Sequence, residues 1–93
     1  MIIIREVFIA KPGQASSLAR LMSEVMPDSR VMTDMTGVFN KVVMETEMED
    51  LGAFETRMKE YMSNKEAYKK MAGYTDMYTS GKREIYRIVN PQS

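Results

Sequence analysis

Cysteine, histidine and tryptophan are all absent from the 93 residues. Without a thiol there is neither a disulfide framework nor thiolate chemistry, and without imidazole the usual general base and the commonest metal ligand are gone. A serine triad has no base to serve it, and no glycine-rich phosphate loop occurs. Charge of one sign is missing too. Thirteen Lys and Arg offset thirteen Asp and Glu, and no like-charge run is long enough to grip phosphate or anionic lipid. The apolar opening Met1 to Ile4 gives way to Arg5 and Glu6, so neither an export signal nor a membrane span is read. The expectation is a cytoplasmic protein, one domain over residues 1–93, without nucleic-acid or membrane partners.

What is present is an ordered series of patterned segments. Ile2 to Ala10 is rich in β-branched residues and stops at Lys11-Pro12-Gly13, where proline removes a ladder donor and glycine frees a turn. From Gln14, Leu18, Leu21, Met22 and Val25 follow one helix face until Pro27. Arg30 to Thr36 and Phe39 to Glu47 flank Thr36-Gly37-Val38 and read as a hairpin around the glycine. Glu49 and Asp50 bring negative charge to the start of a second helix with the stripe Leu51, Phe54, Met58, Tyr61 and Met62. Ser63-Asn64 interrupts it, and Ala67, Met71, Tyr74 and Tyr78 resume helical spacing as a short third helix despite Gly73. Ser80-Gly81 then releases the chain into a last strand, Lys82 to Val89, closed by Asn90-Pro91.

The order strand, helix, strand, strand, helix, strand predicts an α+β, ferredoxin-like βαββαβ fold. A right-handed crossover places strand one beside strand three, giving an antiparallel sheet of order 4-1-3-2. Helices then cover one face only, and the other needs a second subunit, a ligand or a nucleic acid. Along strand one, Ile2, Ile4, Glu6 and Phe8 alternate with Ile3, Arg5, Val7 and Ile9. Phe8 is the bulkiest of these and is assigned to the helix side, which leaves Arg5, Val7 and Ile9 on the open face.

Strand three offers Phe39, Lys41, Val43 and Glu45 to that same face. Arg5, Lys41 and Glu45, with Tyr86 or, in the other register, Arg87 from strand four, are therefore the candidate ligand-binding residues, suited to a carboxylate or a phenol. An ion-pair network at a subunit interface is the weightier reading of the same residues. Tyr61, Tyr68, Tyr74 and Tyr78 could wall an aromatic pocket, although tyrosines on an apolar stripe more often bury their rings in the core. The eleven methionines are scattered through every element, which favours core filler over a binding surface. Glu45, Glu47, Glu49 and Asp50 form the densest acidic group and read as a solvated strand end and helix cap, so no metal or cofactor is expected.

Ala10-Lys11-Pro12-Gly13 leading into the first helix, the Phe54, Met58 and Tyr61 spacing, and the run Ser80 to Val89 resemble the dimeric α/β-barrel superfamily. That superfamily includes antibiotic-biosynthesis-monooxygenase-like and NIPSNAP-like proteins, and the resemblance spans nearly the whole chain. It implies a homodimer whose sheets face each other as a barrel, with cavities for small molecules. Some relatives oxidise polyketide-like aromatics without a cofactor and others degrade haem, typically with asparagine, tryptophan and histidine. This chain lacks the last two, and Asn40, Asn64 and Asn90 all lie off strand one, so no catalytic residue is carried over.

The leading functional expectation is a homodimer that binds a small apolar or aromatic molecule in the barrel cavity. A cofactor-independent monooxygenase or isomerase is the runner-up, and a structural or assembly role is a further reading. RNA binding is disfavoured: Val7-Phe8-Ile9 weakly resembles an RNA-recognition strand, but Val38-Phe39-Asn40 does not supply the second stacking pair and no basic groove is available.

Overall fold

The computed structural model describes residues 1–37 and 39–90. Its elements are β1 (Ile2–Ala10), α1 (Ala15–Val25), β2 (Arg30–Thr33), β3 (Lys41–Met48), α2 (Leu51–Ser63), α3 (Lys65–Lys70), a 3-10 turn (Tyr74–Asp76) and β4 (Tyr78–Arg87). The four strands form one antiparallel sheet of order β2-β3-β1-β4, the ferredoxin-like arrangement expected from the segment order. Helices cover one face, and the molecule is only 19 Å through its shortest axis, the depth of two layers. None of the described helices is long and apolar enough to cross a membrane.

Phe8 faces the helices, as its bulk implied. It joins Ala10, Leu18, Met22 and Val42 in the core, so β1, α1 and β3 meet around one apolar centre. Leu18 and Met22 lie one turn apart on α1 and both are buried. Burying a side chain of that size contributes about 1.5–3 kcal/mol. By contrast, α2 buries none of its residues. Leu51 and Met62 at the edges of its stripe are exposed, while its Phe54, Arg57, Met58 and Tyr61 turn toward the sheet.

Several boundaries differ from the sequence reading. β2 ends at Thr33 because Asp34 closes the hairpin: its backbone N–H donates to the Lys41 carbonyl at 3.2 Å, and its Oδ1 accepts from the Lys41 N–H at 2.9 Å. Asn40 occupies the left-handed region at φ 64°, a conformation its short polar side chain tolerates. β3 therefore begins at Lys41 rather than Phe39, which is 84 % exposed. Val38, assigned to the hairpin turn, and Pro91 in the closing tail lie outside the described residues.

The third helix is shorter than the Ala67 to Tyr78 spacing suggested. Asn64 caps it by accepting from the Glu66 and Ala67 N–H groups, and Gly73 at φ 85° breaks it. Tyr78 belongs to β4, not to a helix, and Ser80-Gly81 sits inside that strand rather than before it. Gly81 lies opposite Phe8 in the β1–β4 ladder, and a Cβ on it would come within 2.9 Å of the Phe8 ring. The glycine is there because the Phe8 ring occupies the space a side chain would need, a use that local turn chemistry does not reveal.

Candidate functional site

Strand register gathers most of the expected residues on the open face. Arg30 pairs with Glu45, Glu45 with Arg5, and Arg5 with Glu84. One row thus crosses all four strands with alternating charge, its neighbours about 4.8 Å apart. Arg5 donates from both Nε and Nη2 to Glu45 Oε2, at 3.2 and 2.9 Å. Its guanidinium also lies 5.7 Å from the centre of the Tyr86 ring. The Tyr86 hydroxyl, followed by the Lys82 ammonium, holds Glu84 below the ordinary carboxylate range. Arg5, Glu45 and Tyr86 are therefore neighbours.

Lys41 shares the face but not the cluster. It pairs with Ile9, four residues along β3 from Glu45 and so roughly 13 Å away. At the Glu45 end of the open face, away from Lys41, a hollow of about 230 Å³ is walled by Ile3, Arg30, Glu45 and Glu47 with Asp28 and Ser29. These walls are mostly charged, unlike those on the opposite side of the sheet.

The apolar hollow lies on the helix side, where α2 stands off the sheet. Two adjoining chambers of about 30 and 90 Å³ share Glu6, Met26, Met44 and Met58 as common walls. Met22 and Met71 complete the larger chamber with Phe8, Tyr61 and Tyr74, and Met48 and Phe54 the smaller. Six of the methionines thus converge from α1 and its C-terminal cap, β3, α2 and the end of α3. Unbranched thioethers adapt to irregular ligands and make favourable contacts with aromatic rings.

An ion pair is set in this apolar wall. Arg83 Nε donates to Glu6 Oε1 at 2.8 Å, with the Arg83 side chain 43 % and that of Glu6 18 % exposed. The guanidinium rests 5.1 Å from the centre of the Phe54 ring. Arg57 lies one turn after Phe54 on α2, lines the smaller chamber, and reaches Asp28 at 3.3 Å. At the inner end, the Thr46 and Ser29 hydroxyls bond each other, leaving no orphaned polar group there.

The tyrosines divide between the two roles considered for them. Tyr78 packs against Phe8 with ring centres 4.8 Å apart and planes tilted by 55° and is a packing residue. Tyr61, Tyr68 and Tyr74 border an outer hollow of about 310 Å³, which shares Tyr61, Met71 and Tyr74 with the larger chamber. Burial, and then the neighbouring Tyr68, raise the Tyr61 phenol above its ordinary value. Burial, and then Tyr78, do the same for Tyr74. Both phenols therefore stay protonated, and both residues line the larger chamber and the outer hollow.

Sequence reasoning missed Glu6, Arg83 and the methionine cluster. The usable signal was Glu6 itself, a charge on the strand face otherwise made of Ile2, Ile4 and Phe8. A carboxylate facing two helices requires a partner and some room. The methionines gave no such signal, because their convergence is tertiary.

No family model matches the sequence, and no curated protein matches it. Solved structures do match in fold. An uncharacterized NIPSNAP domain protein from Burkholderia xenovorans superposes with a TM-score of 0.83 at 10 % identity, over 99 % of this chain and 100 % of that one. A NIPSNAP-like domain protein from the same organism gives 0.81 at 16 % identity, over 98 % and 89 %. A putative antibiotic biosynthesis monooxygenase from Deinococcus radiodurans gives 0.73 at 14 % identity, over 100 % and 97 %. The resemblance read from the sequence therefore holds as a likeness of fold to NIPSNAP and antibiotic-biosynthesis-monooxygenase structures.

Proposed function

We propose that this protein binds a small apolar or aromatic molecule in the methionine-lined cavity between the sheet and the helices, and that it does so as a homodimer joined through the open sheet faces. The observation that carries the first part is the convergence of six thioethers with Phe8, Phe54, Tyr61 and Tyr74 around one hollow beneath an unburied helix. A well-packed small domain closes such a space, since each void forfeits dispersion contacts. Leaving α2 off the sheet lowers stability unless something enters. The inner chambers suit one ring or a short branched chain, and the tyrosine-lined hollow leaves room for a continuing tail.

The second part rests on charge complementarity. The row Arg30, Glu45, Arg5, Glu84 alternates in sign, so an isologous partner can set acids against bases without a net charge cost. In the next row along, Met32, Val43 and Val7 lie side by side with Lys82 at the end, and the three apolar residues supply the centre of such a contact. On this reading Arg5, Glu45 and Tyr86, with Lys41 further along, belong to the subunit interface rather than to the ligand.

Native mass spectrometry of gently purified protein tests both parts in one spectrum. A dimer carrying a small additional mass is the expected result. A monomer at micromolar concentration contradicts the interface, and a protein that takes up no small aromatic molecule at millimolar concentration contradicts the cavity.

A further inference from the structure

We infer that the cavity selects amphipathic anions, with a carboxylate head held by Arg83 and an apolar body among the methionines. This rests on the cavity reading above and adds the chemical class of its occupant. Three charged residues line the two chambers: Glu6, Arg57 and Arg83. Glu6 answers Arg83, and Arg57 is paired with Asp28, so a head-group site rests on the Arg83 donors that these pairs leave unused. Asp28, the partner of Arg57, lies outside these walls, and its side chain is 75 % exposed.

The two arginine–glutamate pairs of the sheet differ in a way that bears on this. Arg5 commits both Nε and Nη2 to Glu45. Arg83 commits Nε alone, and its Nη groups make no hydrogen bond among the described residues. A guanidinium carries five N–H donors in a rigid fork. Glu6 therefore pins Arg83 through one donor, and contact with Phe54 fixes its plane. The unused edge is left for a second acceptor, and a planar carboxylate matches it bidentately. Phosphate fits this geometry less well, because a dianion brings a second charge close to Glu6.

A matched pair of probes, 3-phenylpropanoate and 3-phenylpropan-1-ol, differs only at the head group. Their affinities are read from methionine-methyl shifts at low ionic strength. The expected result is that the carboxylate binds about tenfold more tightly, the scale of one charge-assisted hydrogen-bond pair, and that Arg83→Gln removes the preference. Should that variant fail to fold, Arg83→Lys decides, since it keeps the charge beside Glu6 but loses the fork: its preference must fall. Equal affinity of the two probes in the native protein, or an undiminished preference in either variant, overturns anion selection while alcohol binding leaves the cavity reading standing. If neither probe moves a methionine methyl, the cavity reading fails and this inference falls with it.

Discussion

Replacing Gly81 with alanine tests the packing of β4 on β1 most sharply. A Cβ at this position would lie 2.9 Å from Phe8 Cδ1, 3.0 Å from Phe8 Cε1 and 3.5 Å from Tyr78 Cε2. The first two contacts are shorter than carbon atoms tolerate. The Phe8 ring cannot retreat cheaply, because it is 7 % exposed and held by Tyr78 on one side and the α1 core on the other. Forcing a methyl into such a site costs typically 1–3 kcal/mol. Alanine offsets about 0.5–1 kcal/mol of that by reducing the freedom of the unfolded chain. The net expectation is a loss of about 1–2 kcal/mol, or a fall of several degrees in Tm at roughly 4–8 °C per kcal/mol. Urea titration at fixed protein concentration measures it as a lower midpoint with an unchanged slope. The same substitution in a Phe8→Leu background should cost little or nothing, because the clashing ring edge is gone. Gly81→Ala as stable as the native protein, or an equal cost in both backgrounds, would refute the ring-over-glycine packing.

Three further outcomes follow from single contacts. Asp50→Ala removes the oxygen that accepts from the Ala53 N–H at 2.8 Å and should cost about 1 kcal/mol, read by thermal melting; no change would mean that α2 does not rely on this cap. Tyr86→Phe removes the leading cause of the depressed Glu84 pKa, so carboxyl NMR should find Glu84 titrating closer to 4.5; an unmoved titration would place the hydroxyl elsewhere. Tyr61 and Tyr74 have pKa values raised above 10.0, so the fold favours the neutral phenols. Their contribution to stability is complete below pH 10.0 and is lost as pH rises through the raised values. An ultraviolet titration of the folded protein should lag that of the urea-unfolded chain, and coincident curves would contradict the burial of these rings.

The fold was legible because its signals are local and agree with one another. β-branched residues mark β1, Pro27 follows the stripe of α1, and Asp50 opens α2, each within a few residues of where the structure puts it. Alternation along β1, with the bulk of Phe8 deciding which side meets the helices, was enough to turn Phe8 toward them and to put Arg5 and Glu45 together on the other face. It did not separate Lys41 from that pair, because shared sidedness says nothing of distance along a strand. Gly81 misled for a related reason. Glycine next to serine is a turn signal in isolation, and only the ladder partner Phe8 explains why a strand tolerates it. Tyr78 completed a helical spacing that Gly73 had already ended. Glu6 and Arg83 lie far apart in sequence and are joined only by the β1–β4 register. The same is true of methionines drawn from several elements into one wall.

The chain's eleven methionines make the cavity directly observable. With methyl-labelled methionine, each resonance can be followed while the neutral probe 3-phenylpropan-1-ol is added. The cavity account predicts that Met22, Met26, Met44, Met48, Met58 and Met71 shift together and saturate, while Met1 and Met35, 56 % and 96 % exposed, stay in place. Shifts of Met1 and Met35 as large as those of the cavity methionines, or no saturable shift at all, would contradict it.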